Sequence, residues 1–234
     1  MLISVHVPKT AGSSFLSALE QVFGSRLLRV YVHVPPRYRL IRKAIRAGHR
    51  FRLYLRRNQV VRDYDAVHGH FPAHWFDFLP GAKRYCVFLR DPVDRVVSNY
   101  LYWQRLHKEI VAAGQVPPYD KTWRRMIEEE LSVEEFAALP HLVSFYRMYM
   151  GRKDVAQFDF VGLQEEYGTS LALFEKIFDL KLAERRENVL DREESLDQVS
   201  RVDKERIRAL YRENQAIYDA GRRRFDQLCE QYLR

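Results

Sequence analysis

The sequence predicts an α/β fold of three layers, a central parallel sheet flanked by helices. Three short apolar runs, Ile3–Val7, Tyr85–Leu89 and Phe158–Leu163, each read as a buried strand. Each is followed at once by small, polar or charged residues, and then by apolar residues at helical spacing. Strands handing over to helices in this way make a parallel sheet, and ligands of such sheets sit beyond the carboxyl ends of the strands. Both stretches that carry the most chemistry fall at such ends.

The first unit organises the rest. Ile3–Val7 runs into Pro8-Lys9-Thr10-Ala11-Gly12-Ser13-Ser14, and a helix follows with Phe15, Leu16, Leu19, Val22 and Phe23 on one face and Gly24 as its stop. Strand, small-residue loop and helix form a phosphate cradle: small residues let backbone N–H groups approach an anion, and the helix N-terminus adds partial positive charge. Thr10, Ser13 and Ser14 offer hydroxyls and Lys9 a point charge. The loop differs from the nucleotide-triphosphate P-loop, in which a glycine opens the loop and the lysine comes late. Taken alone, it also reads as a plain strand-to-helix turn.

Leu27–Val34 is apolar enough for a second strand, and Pro35-Pro36 interrupts it. From Arg37 to Arg62 there are ten Arg or Lys and no Asp or Glu, so the segment is built for anions or for solvent. Within it Leu40, Ile41, Ala44 and Ile45 recur at helical spacing, opposite Arg39, Arg42, Lys43 and Arg46. This basic amphipathic helix reads as a solvated face, as a contact for an anionic acceptor, or as a contact for anionic lipid. It is expected to border the acceptor site.

Asp65–Phe71 places His68 and His70 two apart, on one face of a strand. Tyr85–Leu89 is followed by Arg90, then by Asp91 as a helix N-cap and Pro92 at the first helical position. Val93, Val97, Tyr100 and Leu101 form the apolar stripe of that helix, with Ser98 two turns in. Residues 104–122 contain Gly114, Pro117 and Pro118 and read as a loop or flap. Trp123–Leu131 reads as helix, Ser132 with Glu135 as a capping box, and Leu142–Met150 as another helix. Gln164-Glu165-Glu166 leads into a helix carrying Leu171, Leu173, Phe174, Ile177 and Phe178, whose N-terminus the two glutamates favour electrostatically. Arg185–Glu194 reads as irregular. From Asp203 the chain reads as one helix with Ile207, Leu210, Tyr211, Asn214, Ile217, Tyr218, Phe225, Leu228 and Tyr232 in a stripe.

At 234 residues the chain suits one well-buried domain, and 47% hydrophobic residues exclude a disordered one. Its two cysteines, Cys86 and Cys229, give no disulfide framework and read as reduced, packed residues. No Cys/His set has zinc spacing. No run reaches membrane-spanning length and no signal peptide precedes the first strand, which leads to the expectation of a cytoplasmic protein. The formal charge of +8 suits polyanionic ligands.

Together, PKTAGSS and RDP-x-x-R-x-x-S resemble the two nucleotide-binding signatures of the sulfotransferases, which use 3′-phosphoadenosine-5′-phosphosulfate (PAPS). The resemblance implies a single sulfotransferase domain over 1–234 with a P-loop-like fold. It implies that Lys9, Thr10, Ala11, Gly12, Ser13 and Ser14 hold the 5′-phosphosulfate, and that Arg90 and Ser98 hold the 3′-phosphate. VHGHF further resembles the His-Gly-His segment of the uronyl 2-O-sulfotransferases, whose second histidine is the proposed base; that maps to His70. An imidazole takes a hydroxyl proton readily at neutral pH. His68, Asp65 and Asp63 are the fallback bases, and His74 and His33 have no matching motif. The family often folds a late loop over the nucleotide, where Asn188 or Arg192 would serve. Relatives often carry a longer polar pattern around residues 142–150, of which only Arg147 survives.

The reaction implied is in-line transfer of a sulfuryl group from PAPS to a hydroxyl, with His70 as base and Lys9 on the leaving oxygen. No metal is expected, since no carboxylate pair accompanies the loop. The acceptor implied is a glycan or glycolipid. Two other readings compete. A small-molecule kinase shares the fold but needs ATP and magnesium, and the early Lys9 argues against it. A non-catalytic nucleic-acid binder fits the charge, but no nucleic-acid motif is visible.

Overall fold

A computed structural model describes residues 1–31, 41–117, 120–182 and 199–234, the side chain of Arg42 excepted. His33, Pro35-Pro36, Arg37, Arg39, Leu40, Pro118, Asn188 and Arg192 lie outside the described residues. The described chain builds β1 (Leu2–Val5), α1 (Gly12–Phe23), β2 (Leu27–Val30), α2 (Arg42–Leu55), α3 (Arg57–Asp63), β3 (Ala66–Gly69), β4 (Arg84–Leu89) and α4 (Pro92–Ala112). It continues with α5 (Lys121–Glu128), α6 (Val133–Ala137), α7 (Pro140–Val143), α8 (Phe145–Met150), β5 (Phe160–Leu163), α9 (Tyr167–Phe178), α10 (Arg201–Leu210) and α11 (Arg212–Tyr232).

The five strands form one all-parallel sheet in the order β2-β3-β1-β4-β5, flanked by helices. Every residue of β1, β3 and β5 is buried, as expected where helices cover both faces of a parallel sheet. This is the α/β architecture the strand–helix alternation predicts. From β1 the chain runs toward β2, and from β4 it runs the other way toward β5. Since parallel crossovers are right-handed, those two connections lie on opposite faces of the sheet. A crevice therefore opens between the carboxyl ends of β1 and β4, where ligands of such sheets bind.

Phe15 docks α1 on the sheet, its ring 4.8 Å from Phe88 and 5.1 Å from Phe174. Asp91 caps α4, accepting from the N–H groups of Val93 and Asp94, with Pro92 behind it. The capping box of Ser132 and Glu135 forms as expected. Among the described residues no helix is long and apolar enough to cross a membrane.

Several expectations are corrected. The stretch 104–122 is not a long flap: α4 continues to Ala112 because Leu106 and Ile110 pack on the core, and α5 begins at Lys121 behind its cap Asp120. The C-terminal stripe is two helices, α10 and α11, parted at Tyr211, so Leu210 and Tyr232 face solvent while Tyr211 is buried. Residues 142–150 split likewise into α7 and α8. Glu165 and Glu166 do precede the helix Tyr167–Phe178, with Glu166 at its N-cap; Glu165 also accepts from the Asp91 N–H at 2.6 Å and Glu166 also pairs with Arg222 at 2.7 Å. Arg147 is an exposed partner of Glu213.

Candidate functional site

The loop leaving β1 is held in a conformation that few non-glycine residues adopt. Lys9 has φ 70° and Ala11 has φ 59°, both left-handed. Each such residue costs on the order of 1 kcal/mol, and the cost persists only where surrounding contacts impose it. Thr10 supplies those contacts: fully buried, its hydroxyl donates to the carbonyls of Val7 (2.8 Å) and Phe88 (2.9 Å). The Thr10 hydroxyl thereby pins the loop to the end of β4, two residues before Arg90.

The loop delivers an open helix N-terminus. The first helical bond of α1 runs from the Phe15 N–H to the Ala11 carbonyl at 3.0 Å. The N–H groups of Gly12, Ser13 and Ser14 precede it, no side chain caps them, and the first turn holds no acid. Amides in such a left-handed turn form an anion-binding concavity. Ser13 is exposed and Ser14 half-buried, so both hydroxyls lie near that surface.

Arg90 ends the neighbouring strand. It is buried, and its peptide is clamped by the Tyr146 hydroxyl, which donates to the Arg90 carbonyl and accepts from the Arg90 N–H. Burial raises the pKa of that phenol, keeping it protonated as a donor. Along α4, Asp94, Ser98 and Tyr102 recur every fourth residue and share a face. The Lys9 ammonium lies 3.8 Å from the centroid of the Tyr102 ring, so this face, with half-buried Ser98 in its middle, runs along the crevice from Arg90 toward Lys9. Lys204 and Arg208 of α10 come within 3.9 Å of Asp94 and Asp91 and bring two more cations to the Arg90 end. Burial, with Asp91 nearby, pushes the Asp94 carboxyl up.

On the other side of β1, three imidazoles cluster. The ring of His6 lies 4.3 Å from that of His70 and 5.1 Å from that of His68. His70 Nδ1 lies 2.8 Å from the His6 carbonyl. A carbonyl only accepts, so Nδ1 carries the proton and Nε2 keeps its lone pair. Burial lowers the His70 pKa; the His6 carbonyl opposes that, and the charge on Arg46 of α2 adds to it. His70 is therefore a neutral imidazole with a basic nitrogen available. Gly69 makes its position feasible: a Cβ there would sit 2.0 Å from the Val30 carbonyl, which accepts from the His70 N–H at 3.1 Å.

The fallback bases lack this geometry. His68 is buried, its Nδ1 bonded to the Ser4 hydroxyl at 2.7 Å, and burial holds its pKa at about 3. Asp65 precedes the opposite end of β3, roughly 15 Å of strand away, paired with Arg26. Asp63 is paired with Arg62. His6, by contrast, went unremarked in the sequence. Its ring fills the space over Gly12, where a Cβ would lie 1.8 Å from Nε2, and its Nδ1 meets the Tyr31 hydroxyl at 2.7 Å. His6 thus bridges the anion loop and His70. Burial and the two other histidines lower its pKa to about 2. Tyr102 was legible only as a residue one turn beyond Ser98, and Tyr146, Lys204 and Arg208 had no local signal.

Compared with protein-family models and with curated proteins, the sequence matches none of them. The residues and their arrangement carry the functional argument.

Proposed function

We propose that the chain is a PAPS-dependent sulfotransferase of P-loop-like fold, acting on a hydroxyl acceptor that is a glycan or glycolipid. The observation that carries this reading is the crevice between β1 and β4, with an uncapped, left-handed anion loop on one wall and buried Arg90 on the other. Two anion sites at the ends of neighbouring strands suit a nucleotide phosphorylated at both ends. PAPS supplies an activated sulfuryl group, whose bond to a phosphate oxygen breaks as the bond to the acceptor oxygen forms. The amides of Gly12, Ser13 and Ser14, with Lys9, would hold the phosphosulfate and oppose the charge that gathers on the leaving oxygen. Such fixed electrostatic help is usually the largest part of catalysis. Arg90 and Ser98 would hold the 3′-phosphate. His70 Nε2 would take the acceptor proton, its ring oriented through Nδ1 on the His6 carbonyl. The proximity of Arg46 to His70 supports an acceptor path along α2 and an acceptor with anionic or polar groups.

The test is transfer of labelled sulfate from PAPS to a panel of glycans and glycolipids, with mass spectrometry of the products. In His70→Ala, turnover should fall by roughly two to four decades while nucleotide affinity stays. Because the His70 pKa is lowered, the acid limb of the pH–rate profile should lie below that of an ordinary imidazole. Near-normal turnover in His70→Ala would remove the base from this account. Thermal shift by ATP–Mg²⁺ and none by adenosine 3′,5′-bisphosphate would replace the whole reading with a kinase.

A further inference from the structure

We propose that α2 docks the protein on a bilayer surface rich in anionic lipid, with its apolar stripe entering the interface and its cations meeting the headgroups. The helix turns its apolar stripe away from the body of the protein. At about 100° per residue, Ile41, Ala44, Ala47, Gly48, Phe51 and Leu55 fall within about 120° of arc. All six are solvent-exposed, Phe51 at 59% and Leu55 at 62%. The side turned inward is instead mixed: Ile45, Arg46, His49, Arg50 and Leu53 are half-buried there, and Arg50 donates to the Trp75 carbonyl at 3.2 Å. A helix that turns aromatic and aliphatic side chains outward while half-burying arginines presents an interfacial face.

Cations rim the stripe. Exposed Lys43 flanks one edge and Arg52 the other. A cavity of about 560 Å³ opens beside Leu55, lined by His49, Arg52, Leu53, Leu55 and Arg56. Within this neighbourhood the Nε2 of His49 is buried with no hydrogen-bond partner. Two guanidiniums, an unpartnered imidazole nitrogen and an apolar wall suit a lipid phosphate whose acyl chains lie along the stripe. A second copy of this chain is disfavoured as occupant, because residues 37–62 hold ten cations and no acid and two such faces repel. An anionic leaflet meets both features at once, and each cation near it strengthens binding roughly fivefold. The inference does not depend on the sulfuryl-transfer reading.

Co-sedimentation of the full chain with vesicles tests it. One set is phosphatidylcholine alone; the other contains about a quarter phosphatidylglycerol. The protein should pellet with the second set and not the first, and salt should weaken the binding. Phe51→Ser/Leu55→Ser and Lys43→Glu/Arg52→Glu should each bind at least tenfold more weakly, with melting temperatures unchanged because all four residues are exposed. Failure of the unmodified chain to pellet overturns the proposal. So does pelleting of Phe51→Ser/Leu55→Ser at the unmodified level, which would leave the stripe without a role. A concentration-dependent dimer in analytical ultracentrifugation, lost in that variant, would assign the stripe to a second copy instead.

Discussion

The two strand-to-helix junctions that flank the crevice do opposite things with the same backbone. At the end of β4 the helix start is closed: Asp91 caps it, Pro92 removes one of its N–H groups, Asp94 adds an acid to the first turn and Glu165 holds the Asp91 N–H. At the end of β1 the helix start is open, with no side-chain cap and no acid in its first turn. The first junction can offer an anion side chains, Arg90 foremost; the second can offer amides, with Lys9 in the same loop. An uncapped N-terminus at a partly exposed surface is left to water or to an anion, whereas a capped one is indifferent to either. The difference teaches that the α1 junction alone leaves its first N–H groups uncapped toward an anion, whereas the α4 junction satisfies its own with local side chains.

Variants on the two sides should therefore separate. The largest effect is expected from Lys9→Ala, with the amides left in place: about 3–4 kcal/mol of barrier, read as a fall of two to three decades in kcat of sulfuryl transfer with the melting temperature nearly unchanged. A fall in nucleotide affinity alone would move Lys9 from the reacting end to mere binding. Next comes Arg90→Ala. Removing a charge-assisted contact should cost about 1.5–3 kcal/mol of affinity for adenosine 3′,5′-bisphosphate, measured by calorimetry, and much less for the analogue lacking the 3′-phosphate. Equal losses for the two nucleotides would make Arg90 a structural residue and erase the comparison. Smaller still is Asp91→Ala, which removes the α4 cap and should lower unfolding stability by about 1 kcal/mol in urea titrations, without changing the ratio of affinities for the two nucleotides.

The sequence made one half of this comparison easier to read than the other. Apolar runs, the Asp91-Pro92 start and the Ser132/Glu135 box are local features, and local physics forms them wherever they stand. The open junction was legible through its small residues and Lys9, yet its working parts are contacts between distant segments. Nothing local says that the Phe88 carbonyl, 78 residues away, lies within reach of the Thr10 hydroxyl. His6 carries no local signal because its value comes from Gly12 beneath it and His70 beside it. The orientation of α2 has no sequence signal for a related reason. Periodicity shows that one face is apolar, but only tertiary packing decides whether that face turns toward the core or away from it.

The smallest expected effect is the sharpest probe of the open junction. Ala11 is left-handed at φ 59° and 95% buried from solvent at the N-cap of α1. Ala11→Gly removes the steric penalty of that conformation, which for an alanine is about 1 kcal/mol, but gives the unfolded chain more freedom to lose. The two effects oppose, so stability should change by less than about 1 kcal/mol in either direction. Nucleotide binding should respond differently. The methyl group restricts the loop to few conformations, and a glycine lets the amides of Gly12, Ser13 and Ser14 leave the alignment that Lys9 and Thr10 impose. The expected result is unchanged stability with a several-fold weaker affinity for adenosine 3′,5′-bisphosphate, carried by the entropy of binding in calorimetry. An affinity that rises instead would mean that the strain at Ala11 opposes the bound geometry, and the open helix start would then be a consequence of packing and not a preorganised anion site.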